Sequence, residues 1–173
     1  MAADQSPHPR LFSLEGKTAV VTGGSRGIGA MIARGLLDAG ASVVISSRKQ
    51  SELDDARIAL SAFGDVHAIR ADVSTLEGVE KLAAEVAAHF PTLNILVNNA
   101  GATWGMPLDD FSEHAWDKVM DTNVKGVFFL TQRLLPHMRA QHYGRVITVG
   151  SMLASFPLAH RGSYCAAKAA LKG

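Results

Sequence analysis

Hydrophobic residues are distributed along the chain in two alternating patterns. Short runs rich in Val and Ile are separated by longer stretches in which apolar residues recur every three or four positions. The short runs predict five β-strands, at Lys17–Thr22, Ala41–Ser46, Val66–Arg70, Leu93–Val97 and Gly144–Val149. Strands that alternate with helices form parallel sheets, and almost wholly apolar strands are covered on both faces. The pattern therefore predicts an α/β fold with a doubly wound parallel sheet.

The longer stretches predict helices between these strands. They cover Gly27–Ala39, Ser51–Phe63, Thr75–Phe90 and about Ser112–Gln141. Ser74 or Thr75 is expected to cap the third helix, because a short hydroxyl side chain accepts a hydrogen bond from a free N–H group of the first turn. Pro136 has no N–H group and predicts a kink or a break around Leu134–His137. A last helix is expected to begin near Tyr164.

Composition and charge restrict the classes of function. The chain has 173 residues, of which 47% are hydrophobic and 19% are charged, and this supplies enough apolar material for one globular domain. We expect residues 1–13 to form a flexible N-terminal arm and residues 14–173 to form the domain. Lys and Arg total 17 and Asp and Glu total 16, so no basic excess favours binding to nucleic acid or to a membrane surface.

Cysteine and histidine usage adds little chemistry. One cysteine cannot form an internal disulfide, and no apolar run reaches the roughly 18 residues that a membrane-spanning helix needs. These features favour a reduced, aqueous compartment, and we predict a cytoplasmic protein. The seven histidines show no spacing typical of a metal site, so no metal is predicted.

A glycine-rich turn follows the first strand and opens the first helix. Its glycines are spaced Gly-x-x-x-Gly-x-Gly, in the position where a doubly wound sheet binds the pyrophosphate of a dinucleotide. Such a turn brings backbone N–H groups and a helix N-terminus close to phosphate. A plain glycine turn is the alternative, but the position directly after the first strand favours the dinucleotide site. The cofactor contacts predicted here are Gly23, Ser25, Arg26, Gly27, Ile28 and Gly29.

The end of the second strand indicates which nicotinamide cofactor is bound. NAD-binding sites carry an acidic residue here that holds the adenosine ribose, whereas this strand ends in Ser47 and Arg48. A hydroxyl and a guanidinium suit the 2′-phosphate of NADP, and Arg26 is a second candidate for that phosphate. Arg48 alone is also consistent with a solvated charge at a helix start. The missing acid and the added base together predict NADP(H).

Further motifs lie at strand ends and helix starts. They are Asn-Asn-Ala-Gly at Asn98–Gly101, Asn123 in the long helical stretch, Ser151 after the fifth strand, and Tyr164 with Lys168 on the last helix. Together with the glycine turn, and in this order, they resemble the classical short-chain dehydrogenase/reductase family from about Leu14 to the end of the chain. The sequence is most similar to bacterial 3-oxoacyl-[acyl carrier protein] reductases and related NADPH-dependent ketone reductases. The resemblance implies a Rossmann-type sheet with strand order 3-2-1-4-5.

The spacing of Tyr164 and Lys168 also indicates chemistry on its own. Residues four apart lie on one face of a helix. A phenol has an ordinary pKa of about 10, and a neighbouring ammonium favours the phenolate. Tyr164 is therefore predicted to be the general acid in ketone reduction and the general base in alcohol oxidation. Ser151 is predicted to donate a hydrogen bond to the substrate carbonyl oxygen. A surface pair is the alternative for Tyr164 and Lys168, and the upstream Ser151 argues against it.

The resemblance implies further roles. Lys168 would hold the nicotinamide ribose, and Asn123 would fix a water molecule that connects Lys168 to solvent. Asp72 and Val73 would lie at the adenine, although Asp72 equally suits a helix-capping turn. The residues expected along the cofactor ribose are Asn99, Ala100 and Gly101.

These observations predict an oxidoreductase that transfers hydride between NADP(H) and a ketone or a secondary alcohol, with a 3-oxoacyl thioester as a candidate substrate. Family members continue beyond the position of Gly173 with further strands, a substrate-covering loop and the contacts of a dimer or tetramer. Without them the fifth strand would have a bare apolar edge. We therefore expect a truncated part of a longer, homo-oligomeric reductase. The alternative is a catalytically impaired fragment that binds only nucleotide or a full-length homologue.

Overall fold

The computed structural model describes residues 11–173, so most of the predicted N-terminal arm lies outside the described residues. The strands are β1 Thr18–Thr22, β2 Ser42–Ser47, β3 Val66–Arg70, β4 Ile95–Asn98 and β5 Arg145–Thr148. The helices are α1 Gly27–Asp38, α2 Gln50–Leu60, α3 Leu76–His89, α4 Glu113–Met120, α5 Gly126–Ala140 and α6 Gly162–Ala170. Each strand begins and ends within two residues of its predicted bounds.

The five strands form one parallel sheet of order β3-β2-β1-β4-β5. β1 lies at the centre, where Val21 is paired with Ile45 of β2 on one side and with Val97 of β4 on the other. The strand order reverses between β1 and β4, so the carboxyl ends of these strands form the crevice in which open α/β sheets bind ligands. The predicted fold class and strand order are confirmed.

Helices cover both faces of the central strands. On one face, Val20, Val44 and Leu96 are buried against α3 and α5. On the other face, Val21 and Ile45 are buried against α1 and α2. Because neighbouring residues of a strand point to opposite faces, an uninterrupted apolar strand supplies both cores at once. The two-sided cover that the sequence predicts is therefore present at the centre of the sheet.

The cover does not extend to β5. Val146 is 43% exposed and Ile147 is 49% exposed, although both belong to the apolar run that predicted a buried strand. β5 pairs with β4 on one side and forms an edge of the sheet that residues 11–173 build. The prediction of a strand at this position is correct, and the expectation of helices on both of its faces is wrong for the described residues.

The long helical stretch is interrupted in a different place from the predicted one. A π-helical turn at Asp121–Lys125 separates α4 from α5, whereas α5 continues through Pro136. The predicted break around Leu134–His137 is therefore wrong, and the alternative of a kink stays a prediction. Pro136 and the residue four positions before it are exposed, so water can bond the carbonyl that proline leaves free, while Leu134 and Met138 hold the helix against the core.

Side-chain caps fix two of the helix starts. The Thr75 hydroxyl accepts a hydrogen bond of 3.0 Å from the Gly78 N–H at the start of α3, which confirms one of the two predicted caps. Ser112 caps α4 in the same way. None of the helices formed by residues 11–173 combines the length and hydropathy required to cross a bilayer.

Candidate active site

A cavity of about 270 Å³ opens at the carboxyl ends of β1 to β4. All the cofactor residues predicted from the sequence line this cavity. They are Gly23, Ser25, Arg26, Gly27, Ile28, Gly29, Ser47, Arg48, Asp72, Val73, Asn99, Ala100 and Gly101. The lining also includes Ser46, Ala71 and Thr122, which the sequence did not single out. The four predicted segments therefore converge in space on one concave surface.

The glycine turn is shaped by residues that lack a side chain. Gly23 has a φ of 65° and Gly27 a φ of 55°, which L-residues with a side chain rarely adopt. A Cβ atom on Gly29 would collide with the Gly23 carbonyl oxygen, so α1 begins in direct contact with the turn. No side chain caps the N-terminus of α1, and its first turn contains no acidic residue. The helix end is therefore open to an anion.

Hydrogen bonds join the glycine turn to the segment after β4. The Thr22 hydroxyl accepts hydrogen bonds of 3.0 Å from the backbone N–H groups of Asn99 and Ala100. The Asn99 side chain donates from Nδ2 to the Thr22 carbonyl oxygen at 2.9 Å. Asn99 therefore braces the wall of the cavity as well as lining it.

Positive charge is concentrated where β2 and β3 end. Arg70 is paired with Ser47 in the sheet and donates from Nε to the Arg48 carbonyl oxygen at 3.1 Å. Arg48, Arg70 and Lys81 line a second cavity that adjoins the first. Arg70 is not among the residues predicted from the sequence. Its signal is a cation at the end of the third strand, which a doubly wound sheet places beside the end of the second strand.

Ser46 places a buried polar group at the same end of the cavity. Its side chain is 1% exposed, and its Oγ atom has no hydrogen-bond partner among the described residues. A buried hydroxyl without a partner is unfavourable unless a ligand or water completes its bonding. Ser46 therefore indicates that a polar group completes this wall.

Asp72 combines the two interpretations that the sequence left open. Its Oδ1 atom accepts hydrogen bonds from the Ser74 backbone N–H at 3.0 Å and from the Ser74 hydroxyl at 2.7 Å, which is the geometry of a turn residue. The same residue lines the cavity, next to Val73. The turn fixes the carboxylate without removing it from the cavity.

Lys168 is a buried cation held by a single hydrogen bond. It is 5% exposed, and its Nζ atom donates to the Val149 carbonyl oxygen at 2.7 Å. Burial lowers the pKa of Lys168 below its ordinary value. The Nζ atom lies 5.9 Å from the centre of the Tyr164 ring, one helical turn earlier on α6. The predicted pair therefore shares one face of the helix.

Asn123 occupies the π-helical turn between α4 and α5. Its Nδ2 group donates to the carbonyl oxygens of Ala102 at 2.7 Å and Val119 at 2.8 Å. Its Oδ1 atom is buried and has no hydrogen-bond partner among the described residues. π-helical turns often occur at functional sites, and this one turns an amide oxygen toward the inside with no protein donor to meet it. The geometry leaves one acceptor for a donor from outside the chain.

Ser151 lies just beyond β5, at the start of the short turn Met152–Ala154. Its hydroxyl accepts a hydrogen bond of 3.2 Å from the Leu153 N–H, which fixes the side chain at the turn. The Lys168 bond to Val149 ties this same segment to α6. Ser151, Tyr164 and Lys168 do not belong to the lining of the 270 Å³ cavity.

Two loops are joined beside this group. The Met106 N–H donates to the His160 carbonyl oxygen at 3.1 Å, and Arg161 donates from Nη1 to the Thr103 hydroxyl at 3.3 Å. His160 adopts a left-handed φ of 60° at this junction. The segment after β4 and the segment before Tyr164 therefore form one connected wall.

Within residues 11–173, no three His, Cys, Asp or Glu side chains are grouped to hold a metal ion.

Known proteins with similar sequences are oxidoreductases of the kind that the motifs resemble. The rhamnolipid-biosynthesis 3-oxoacyl-[acyl-carrier-protein] reductase of Pseudomonas aeruginosa is 46% identical over 169 residues, which cover 95% of this chain and 66% of that protein. Gluconate 5-dehydrogenase of Gluconobacter oxydans is 38% identical over 167 residues, covering 95% of this chain and 65% of that protein. The chain thus spans slightly less than two thirds of the length of these relatives.

Solved structures give the same result. The Pseudomonas aeruginosa RhlG/NADP active-site complex superposes with a TM-score of 0.87 at 45% identity, covering 92% of this chain and 64% of that one. A metagenomic short-chain oxidoreductase in complex with NADP gives a TM-score of 0.88 at 36% identity, covering 92% of this chain and 73% of that one. The family model described as short chain dehydrogenase matches residues 17–173. The chain belongs to the short-chain dehydrogenase family, as its motifs indicated.

Proposed function

We propose that the protein is an NADP(H)-dependent oxidoreductase that interconverts a ketone and a secondary alcohol. The observation that carries this proposal is the buried Lys168, one helical turn after Tyr164 and bonded to Val149 next to Ser151. A buried lysine is costly unless its charge is used, and here it lies beside a phenol in a chain with a dinucleotide-type glycine turn.

The residues of the cavity fit a phosphorylated dinucleotide. The open N-terminus of α1 and the side-chain-free glycine turn suit the pyrophosphate. The unpartnered Ser46 hydroxyl, with Ser47 and Arg48, suits the adenosine ribose and its 2′-phosphate. The relatives whose solved structures are described as NADP complexes support the same choice of cofactor. When bound, NADP(H) supplies or accepts the hydride.

Tyr164, Lys168 and Ser151 would carry the proton chemistry. Tyr164 would donate the phenolic proton to the carbonyl oxygen during reduction and would remove the hydroxyl proton during oxidation. Lys168 would place its ammonium beside the reacting phenol, 5.9 Å from the centre of the Tyr164 ring. Ser151 would donate a hydrogen bond to the same oxygen and stabilise the charge that develops there.

Asn123 would connect Lys168 to solvent through a bound water. The unpartnered Oδ1 atom supports this role, because a buried amide oxygen without a protein donor is suited to accept a hydrogen bond from water. The two bonds made by Nδ2 fix the direction in which Oδ1 points. Asn123 would therefore hold the water without moving a proton itself.

The substrate proposed is a 3-oxoacyl thioester. Relatives named 3-oxoacyl-[acyl-carrier-protein] reductase, from Pseudomonas aeruginosa and Staphylococcus aureus, support this choice. We also propose that the protein is cytoplasmic and homo-oligomeric and that it has no nucleic-acid partner. The single cysteine, the near-neutral formal charge of +1 and the family resemblance support these proposals.

The test is NADPH oxidation with a short 3-oxoacyl thioester, followed at 340 nm, a wavelength at which only the reduced nicotinamide absorbs. Tyr164→Phe is the matched control, since it removes one hydroxyl and keeps the ring. Turnover by the wild-type chain that is lost in Tyr164→Phe supports the proposal. Binding of NADPH without turnover would overturn the proposed oxidoreductase activity, and only nucleotide binding would remain.

A further inference from the structure

Glu52 bridges two cations, one of which, Arg26, lines the cavity. Its Oε1 atom lies 2.7 Å from Lys49 Nζ, and its Oε2 atom lies 3.8 Å from Arg26 Nε. Arg26 belongs to the glycine turn and lines the cavity, while Lys49 directly follows Arg48. One carboxylate in the first turn of α2 therefore contacts cations from both segments that the sequence assigns to the phosphate.

The charges around Glu52 keep it ionised. The hydrogen bond from Lys49 lowers the pKa of Glu52, and the charges of Lys49, Arg26 and Arg48 lower it further. The carboxylate is thus negative throughout the neutral pH range. An anion of the chain itself is placed among the cations that would meet the 2′-phosphate.

A purely structural role accounts for only part of this arrangement. An acidic residue in the first turn of a helix favours the helix dipole, and Glu52 satisfies that rule. The rule does not explain the contact to Arg26, which belongs to a different strand-to-helix turn. Both cations are largely exposed, and exposed ion pairs are weak, so a stronger anion can replace Glu52. A phosphate dianion, which an arginine can bond through two N–H groups, is such an anion.

We propose that Glu52 is an internal counter-ion of the 2′-phosphate site and determines how strongly the protein prefers NADP(H). In the free protein it holds Arg26 and Lys49, and Arg26 must leave it before contacting the 2′-phosphate. A cofactor without that phosphate does not displace it. Glu52 therefore weakens the binding of NADPH and leaves the binding of NADH unchanged. This inference rests on the proposed NADP(H) function.

The test compares the dissociation constants of NADPH and NADH for the wild type and for Glu52→Gln, by fluorescence titration at low ionic strength. Glutamine keeps the size of the side chain and removes its charge. We expect the Kd of NADPH to fall about threefold, in line with the weakness of exposed ion pairs, and the Kd of NADH to stay within about 1.5-fold. An unchanged or raised Kd for NADPH, or an equal change for both cofactors, overturns the proposal.

Asp55→Asn is the matched control. Asp55 lies on the same helix three residues later, is exposed, and takes part in none of the ion pairs between described residues. Like Glu52→Gln, the Asp55→Asn substitution removes one negative charge from α2, and it should leave both dissociation constants unchanged. A gain for NADPH equal to that of Glu52→Gln would show a general charge effect and would overturn the specific role of Glu52.

A second variant locates the effect. In an Arg26→Met background the gain from Glu52→Gln should become smaller, because one of the two cations that Glu52 holds is absent. An undiminished gain would overturn the assignment of Glu52 as the counter-ion of Arg26. A failure of the proposed NADP(H) function would give a different result: the wild-type protein would bind NADH more tightly than NADPH. A gain in affinity cannot arise from misfolding, and circular dichroism checks the fold of each variant.

Discussion

Lys168 and Val149 are joined by a hydrogen bond of 2.7 Å from the buried ammonium to a backbone carbonyl oxygen. The bond connects α6, which carries Tyr164, with the segment after β5, which carries Ser151. A charge-assisted bond of this kind is stronger than a neutral one, and it fixes the two segments relative to each other. Lys168 thus supplies both the positive charge beside the Tyr164 phenol and the hydrogen bond that holds α6 next to the segment of Ser151.

The pH dependence of stability reports on this buried ammonium. Because burial lowers the pKa of Lys168 in the folded state, the unfolded chain holds this proton up to its ordinary pKa of 10.5 and the folded chain loses it earlier. Below the folded-state pKa both states are protonated and the cost of burying the charge is fully present. As the pH rises through that value toward 10.5, the cost is relieved and the folded state gains stability.

We therefore expect the wild type to become more stable relative to Lys168→Met as the pH increases from 7 toward 10. The unfolding free energy of both proteins in urea, measured at several pH values, tests this expectation. The contributions of the other titrating groups are common to both proteins and cancel in the difference between the two unfolding free energies. Two parallel pH profiles would show that the ammonium is not buried in solution.

Asn123 is expected to be important for stability as well as for the site. Replacement by alanine removes the Nδ2 group that donates to the carbonyl oxygens of Ala102 and Val119, and the loss of hydrogen bonds in this partly buried turn is costly. We predict a loss of about 2 kcal/mol in unfolding free energy for Asn123→Ala, measured by urea denaturation. Asn123→Asp should lose more, because a carboxylate oxygen would face the two carbonyl oxygens. An alanine variant as stable as the wild type would contradict the geometry of the π-helical turn.

The sequence predicted the residues of the cavity better than the shape of the helices around it. The glycine turn, Ser47 and Arg48 are local signals, since the end of a strand and the start of a helix are adjacent in the chain. The π-helical turn around Asn123 depends on contacts across the fold. Gly126 packs against the Val73 carbonyl oxygen, and no periodicity along the chain shows that contact. Membership of the family is confirmed, while the roles of individual residues stay predictions.

Pro136 and Glu52 show two limits of prediction from the sequence. Pro136 predicted a break that is absent, and Glu52 was not singled out at all. Pro136 carries a strong local preference for breaking a helix, and burial of its neighbours Leu134 and Met138 overrides that preference. Glu52 follows an ordinary rule for helix starts, so its sequence position gives no reason to connect it with Arg26. Only the packing of α2 beside the glycine turn brings their charges together.

Arg70 is predicted to support the binding of NADPH. Its bond to the Arg48 carbonyl oxygen fixes the end of β2, and its charge adds to that of Arg48. Arg70→Met should raise the Kd of NADPH about fivefold, as expected for the loss of one hydrogen bond and one nearby charge, and should leave the Kd of NADH within about twofold. Both values are measured by fluorescence titration.

Lys81→Met is the control for Arg70, because Lys81 lines the same second cavity on α3 and makes no contact with Arg48 in the described hydrogen bonds. It should change the Kd of NADPH by less than half as much. Equal effects of the two variants would mean that only the net charge of this region counts, and the bond to the Arg48 carbonyl would then have no role in binding.

Two glycines of α1 offer a test of the glycine turn within a single helix. A Cβ atom on Gly29 would collide with the Gly23 carbonyl oxygen, whereas a Cβ atom on Gly35 would meet no atom within 4 Å. Gly29→Ala should therefore force the helix away from the turn, destabilise the protein by about 1–3 kcal/mol and weaken NADPH binding at least tenfold. Gly35→Ala should instead stabilise the protein by about 0.5–1 kcal/mol, since alanine favours a helix interior, and should leave binding unchanged. Thermal unfolding and NADPH titration of both variants measure these effects, and similar binding by the two would show that α1 does not depend on close contact with the turn.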